Sequence, residues 1–117
     1  MEIPGYTLHG DYYLSYKIIP NKTWKEACEM KKEITLPNGK KIVARTLSKK
    51  ELESIPREER GFNGWYWTST LYDGDGAWCV TNIGDFYDLY FIFSFGTGGV
   101  RLGFHKSEIK QFFLDIE

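Results

Sequence analysis

Four aspartates, Asp73, Asp75, Asp85 and Asp88, stand among a run of rings that includes Tyr72, Tyr87, Tyr90, Phe91 and Phe93. Rings bury large area at low entropy cost, and carboxylates accept directed hydrogen bonds. That combination points to noncovalent recognition, with the rings anchoring a ligand and the carboxylates orienting it. Catalysis would need a poised nucleophile, base or metal. The two histidines, His9 and His105, are distant in sequence and lack the local Cys/His/Glu clustering of metal sites. Asp73-x-Asp75 has the opening spacing of a calcium loop, but Ala77 stands where the third oxygen ligand belongs and Gly84 where the bidentate Glu belongs. Turn chemistry accounts for it better. Gly96-Thr97-Gly98-Gly99 lacks the following Lys-Ser/Thr of a phosphate loop and reads as a turn. The spacing of Cys28 and Cys79 does not demand a disulfide, and two buried thiols acting as small apolar groups are expected. The chain is therefore expected to be no enzyme and to carry neither metal nor cofactor.

These residues fall in one part of the chain. Residues 61–104 hold 13 of the 20 aromatic residues and 9 of the 12 glycines, but a single basic residue, Arg101. One half is thus a conventional charged scaffold and the other a glycine-punctuated, ring-loaded sheet. A length of 117 residues fits one domain, 1–117, burying roughly 65% of the surface its unfolded chain would expose. The net charge of −1, with four Asp against one Arg in 61–104, provides no positive field for a polyanion, so nucleic acid is not an expected partner. Met1-Glu2-Ile3-Pro4-Gly5 lacks the basic start and apolar run of a signal peptide, and no run is long enough to span a membrane.

The elements that must position the rings are legible locally. Tyr12 to Ile19 reads as a strand closed by Pro20. Thr23-Trp24-Lys25-Glu26 is a capping box that starts a helix carrying Trp24, Ala27, Cys28 and Ile34 on one side. Lys31 lies in the middle of that side, so either the helix ends near it or its stem lies along the core. Pro37-Asn38-Gly39 marks a hairpin turn into Lys41–Arg45. Ser48-Lys49-Lys50-Glu51 is a second capping box, with Leu47 and Leu52 placed as a hydrophobic staple, and Pro56 ends its helix. A charged connector, Arg57 to Arg60, follows. Trp65–Thr70, Ala77–Val80 and Phe86–Phe95 read as strands, with a turn at Asp73–Gly76 and a break at Gly84. A Thr97–Gly99 turn then leads into Val100-Arg101-Leu102. Ile109, Phe112, Phe113 and Ile116 recur at helical spacing.

The order of these elements resembles a C-type lectin fold, an α+β arrangement of two capped helices against a twisted, mainly antiparallel sheet with an irregular C-terminal β half. Thr23-Trp24-Lys25-Glu26-Ala27 resembles the start of the first helix in bacterial and phage lectin-like domains. Ala44-Arg45-Thr46-Leu47-Ser48-Lys49-Lys50-Glu51-Leu52 is similar to their Trp-Arg-Leu-Pro-Thr-x-x-Glu-Leu, and Tyr66-Trp67-Thr68-Ser69-Thr70 to their Tyr-Trp-Ser-Ser-Thr. Ala77-Trp78 and Gly99-Val100-Arg101 match the later landmarks. Ala44 and Leu47 depart from the pattern, as does the extra hairpin at Asn38-Gly39.

Within that superfamily the chain most resembles the variable proteins of diversity-generating retroelements of phage, bacteria and archaea. In them the C-terminal lectin-like sheet displays residues diversified at template adenines, mostly in Asn codons. Such codons yield Tyr, Phe, Asp, Ser, Gly, Leu and Ile, but never Lys, Glu, Gln, Met or Trp. Residues 79–99 contain none of those five, although strands and turns are poor in Lys and Glu in any case. The resemblance implies a variable region at about 66–104. It implies binding of a macromolecular ligand, a protein or cell-surface receptor, through Tyr72, Asp73, Asp75, Asp85, Tyr87, Asp88, Tyr90, Phe91 and Phe93. Two other readings are a fixed-sequence lectin-like domain that binds carbohydrate or serves structurally, and a degenerate oxidase of the formylglycine-generating type. The calcium-dependent sugar motifs of animal lectins are absent, and Cys28 and Cys79 lack the close pairing that the oxidases use.

Overall fold

The structure is a computed structural model that describes residues 3–37, 39–73, 76–90 and 97–109, with the backbone alone at 73 and 88–90. The helices start where their caps dictate. The Thr23 hydroxyl accepts the Glu26 N–H at 3.2 Å and the Glu26 carboxylate accepts the Thr23 N–H at 2.9 Å, opening α1 (Trp24–Glu29). Ser48 and Glu51 exchange the same pair of bonds at 3.1 and 2.9 Å, opening α2 (Lys49–Glu53). Leu47 and Leu52, each 1% exposed, form the staple beside that cap.

Among the described residues the strands make two five-stranded sheets where one sheet was expected. The first sheet has the order β1-β2-β10-β5-β4, from β1 (Tyr6–His9), β2 (Tyr12–Ser15), β4 (Lys31–Thr35), β5 (Lys41–Thr46) and β10 (Leu102–His105). The second has the order β3-β9-β6-β7-β8, from β3 (Ile19–Thr23), β6 (Tyr66–Asp73), β7 (Gly76–Val80), β8 (Phe86–Tyr90) and β9 (Thr97–Val100). The β6–β9 pairing is parallel and the other pairings are antiparallel. The fold is mixed α+β and mostly strand.

Several expectations are corrected. Tyr12 to Ile19 is not one strand. The Ser15 hydroxyl accepts the Lys17 N–H at 3.0 Å and donates to the Lys17 carbonyl at 2.8 Å, closing β2 in a local turn. Pro20 lies inside β3 rather than closing a strand. It is tolerated because β3 is a sheet edge with a bulge between Ile19 and Lys22, so its missing N–H costs no ladder bond. α1 ends before Lys31, so Ile34 belongs to β4 and pairs with Ile42 across the hairpin that closes around Gly39 (φ +89). Exposed Lys31, Lys32 and Glu33 guard that sheet edge. The charged connector is a third helix, α3 (Arg57–Arg60), begun at Pro56. Residues 107–109 are helical and Ile109 is buried; the rest of the anticipated C-terminal helix, with Phe112, Phe113 and Ile116, lies outside the described residues.

The largest correction concerns Thr97–Gly99, which forms β9 and not a turn. Its glycines are needed for close approach. A Cβ at Gly99 would lie 2.2 Å from Ile18 Cγ2 and 2.7 Å from the Trp65 carbonyl oxygen. At Arg101 the chain leaves the second sheet and enters the first. Arg101, 3% exposed, donates from Nε to the Ser15 carbonyl at 2.9 Å and from Nη1 to the Arg60 carbonyl at 3.2 Å. Its guanidinium lies 4.3 Å from the Phe62 ring centre and 5.5 Å from that of Tyr66. Among the described residues no carboxylate pairs with it, and burial lowers its pKa. Carbonyl dipoles and ring faces hold the charge instead.

The β6–β7 ladder separates two cores. Trp67, Ala77, Cys79 and Val100 belong to one, Tyr66 and Val80 to the other. Trp67 pairs with Cys79 and Tyr66 with Val80, so alternate residues of both strands feed opposite cores. A sheet covered on both faces loses its hydrophobic alternation, which is why this segment shows no period of two.

Candidate functional site

The β7–β8 hairpin carries the described part of the ring-rich face. Its turn is tightly specified. The Thr81 N–H donates to the Asp85 carbonyl at 2.8 Å, the Thr81 hydroxyl accepts the Asp85 N–H at 3.1 Å, and the Gly84 N–H donates to the Thr81 carbonyl at 3.0 Å. Gly84 has φ +91, and a Cβ there would lie 2.0 Å from the Arg57 carbonyl oxygen, so only glycine fits beneath α3. α3 clamps the turn from outside. Arg57 Nε lies 2.6 Å from Asp85 Oδ1, and Arg60 Nε donates to the Gly84 carbonyl at 2.9 Å.

The predicted site residues divide among different surroundings. Tyr72 is 44% exposed and Tyr87 56% exposed. Tyr87 pairs with Cys79 across the ladder and so shares its face. Tyr72 stands edge-on to Trp78, with ring centres 5.1 Å apart at 89°. Trp78 alternates with Cys79 along β7, which puts the Tyr72–Trp78 pair on the opposite face from Tyr87. Lys49 Nζ reinforces that second face, 4.9 Å from both the Trp78 and Phe86 rings. Asp85 is engaged by Arg57 rather than left unpaired for a ligand. Asp73, Asp88 and Tyr90 occupy backbone positions in β6 and β8. Asp75, Phe91 and Phe93 lie outside the described residues.

Beside Tyr87 is a cleft of about 350 Å³ between the segment that enters β6 and the β7–β8 hairpin. Its lining includes Asn63, Trp65, Cys79, Thr81, Asn82 and Tyr87. The Trp65 ring is edge-on to Trp67, with centres 5.0 Å apart at 86°. Buried Trp67 is itself fixed by an Nε1–H bond to the Lys22 carbonyl at 3.0 Å. The cleft's two walls touch at Gly61, where a Cβ would lie 2.5 Å from the Asn82 carbonyl oxygen. Among the described lining residues none is charged.

Sequence reasoning placed Tyr87 at a site but read Trp65 only as part of a strand, and it missed Asn63, Thr81 and Asn82. Nothing local in the sequence signals that Asn63 and Asn82 line one cleft. Cys28 on α1 and Cys79 on β7 are both reduced. Burial, with a smaller contribution from Glu29, pushes the Cys28 thiol pKa up, the reverse of an activated nucleophile. His9 lies 3.4 Å from Glu59, and His105 packs edge-on to Tyr12 with centres 4.9 Å apart. No helix among the described residues is long and apolar enough to cross a membrane. No protein-family model matches the chain, and neither a curated protein nor a solved structure matches it.

Proposed function

We propose that this chain is a ligand-recognition domain with a C-type lectin-like fold, and that the end of its second sheet presents a replaceable, ring-bearing binding surface of the kind carried by diversity-generating retroelement variable proteins. The observation that carries the reading is the contrast between the outer and inner rings of one sheet. Tyr72 on β6 and Tyr87 on β8 are exposed, one on each face of the sheet, whereas Tyr66 and Trp67 further along β6 are buried in two separate cores. A surface built this way changes its displayed side chains at little cost in stability, because the framework residues lie elsewhere. The pairing of β2 with β10, which joins the two ends of the domain in one sheet and leaves the second sheet between them in sequence, also supports a lectin-like framework. The ligand is macromolecular, recognised through burial of ring area rather than through charge, since the sequence carries a net charge of −1 and Asp85 is engaged within the chain.

The test is the DNA around the gene. A near-copy of the 3′ coding segment that differs only at template adenines, close to a reverse transcriptase gene, is the expected result. A locus with no such copy removes the diversification reading and leaves a domain of fixed sequence.

A further inference from the structure

We infer that the scaffold end of the chain carries a second interaction surface, centred on Tyr16, that binds an extended acidic segment of another protein. Tyr16, Lys17 and Lys32 lie outside residues 66–104, so this surface is independent of the recognition reading. Tyr16 is 56% exposed and lines three adjoining clefts, of about 310, 420 and 620 Å³. The smallest shares Gly5 and Tyr6 with the largest and Lys17 with the third. The ring is therefore a ridge between hollows, and an extended segment laid across it drops alternate side chains to either side. The ridge is held by its backbone. The Tyr16 N–H donates to the Gly5 carbonyl at 2.9 Å, and the Ser15 carbonyl accepts from buried Arg101 at 2.9 Å. An exposed tyrosine on a fixed backbone offers large contact area and leaves little to order on binding.

Charge selects the partner. The smallest cleft sets Lys17 and Lys32 beside an apolar wall of Tyr6, Ile19 and Leu102, with no Asp or Glu in its described lining. Neither ammonium has an ion pair among the described residues, whereas Lys41, Lys49 and Lys106 each meet a carboxylate. The surrounding stretch, 17–41, holds seven lysines against three glutamates, a surplus of four positive charges in a chain of net charge −1. Exposed ammoniums steer and discriminate more than they bind. The partner's carboxylates therefore set specificity, while Tyr16 and the apolar wall supply affinity. The phosphates of a nucleic acid would answer the lysines and leave the apolar wall unfilled. A protein segment that places an apolar residue among Asp and Glu answers both.

The test uses the full chain and an array of fluorescein-labelled decapeptides with Leu, Ile, Phe or Tyr at the centre and Asp, Glu, Ser or Gly elsewhere. Lysine-flanked peptides and an oligothymidylate serve as comparators, and fluorescence anisotropy reads binding. The expected result is saturable binding of acidic peptides, weakened about tenfold by Tyr16→Ala and several-fold by Lys17→Glu and by Lys32→Glu. Added salt weakens it as well. Lys25→Glu, the same charge change at an exposed residue that lines none of the three clefts, leaves it unchanged, as does Tyr72→Ala on the second sheet. The substituted side chains are at the surface, so the variants fold. The surface is refuted if no acidic peptide binds, if lysine-flanked peptides bind equally, or if the oligonucleotide alone binds. Binding indifferent to Tyr16→Ala, or weakened as much by Lys25→Glu as by Lys17→Glu, refutes it too. Absent peptide binding would leave the recognition reading standing, and a locus without an adenine-differing repeat would leave this surface standing.

Discussion

Gly98 lies directly beneath the Trp65 indole: a Cβ built there would stand 2.0 Å from Cη2 and 2.3 Å from Cζ3 of the ring. The ring cannot yield easily, because Trp65 packs on the main core and edge-on to Trp67. Gly98→Ala is expected to cost about 2–3 kcal/mol, read as a lowered midpoint in chemical denaturation. Gly64→Ala, where nothing lies within 4 Å of the added carbon, is the matched control and should leave the midpoint nearly unchanged. Equal effects of the two would remove the close-approach explanation for β9.

Arg101 should not be replaceable by lysine. An ammonium cannot reproduce a fork that reaches the Ser15 and Arg60 carbonyls while stacking on Phe62. Arg101→Lys keeps the charge and is expected to lose about 2–3 kcal/mol of folding stability, because it leaves a buried cation poorly satisfied. Urea unfolding followed by tryptophan fluorescence reads this, and a wild-type midpoint for the variant would refute it.

Glu51 predicts a pH dependence. The Arg45 guanidinium bonded to it, with added bonds at the Ser48 cap, holds its pKa down at about 2 against an ordinary 4.5. The folded form therefore binds the proton less tightly than the unfolded chain. The associated stability is fully present above pH 4.5 and disappears as pH falls towards 2. Since the Arg45 side chain is partly solvent-exposed, the contribution is discounted to about 1–2 kcal/mol. Thermal melts at steps between those two values should show the decline, and Glu51→Gln should flatten this part of the curve. An unchanged slope in that variant would assign the dependence to other carboxylates.

The two exposed tyrosines should behave unlike the buried rings of the same sheet. Tyr72→Ala and Tyr87→Ala are each expected to cost under about 1 kcal/mol, whereas Trp67→Ala, fully buried and bonded to the Lys22 carbonyl, should cost about 3–5 kcal/mol. Differential scanning calorimetry on the three variants checks the contrast. Comparable losses for Tyr72 and Trp67 would mean that the displayed layer is framework after all.

What was legible in the sequence is what is decided locally. Thr23/Glu26, Ser48/Glu51, the turn at Gly39 and the strand from Tyr66 each follow from residues within a few positions of one another, and each is where the pattern placed it. Glycine misled at 97–99 because the residue type serves equally for a turn and for a backbone pressed against a ring, and only the distant Trp65 distinguishes the two uses. Pro20 misled because it marks either a strand end or a sheet edge, and edges are a property of the whole sheet. The two-sided burial of β6 and β7 removed the alternation that would have separated Tyr72 from Tyr87. The cleft was hidden for the same reason as the edge, since Asn63 and Asn82 come to line one cleft only through tertiary packing.

The bond from Arg101 to the Ser15 carbonyl joins residues 86 positions apart in a chain of 117. The sheet that contains β2 and β10 is therefore completed only after the residues between those strands have been gathered into one loop, a step whose entropy must be met before its contacts form. Folding should accordingly be slow for a domain of this size, on the order of milliseconds to seconds. A ribosome-bound nascent chain that has not yet released β10 would therefore lack the strand that joins β2 to β5 in the first sheet.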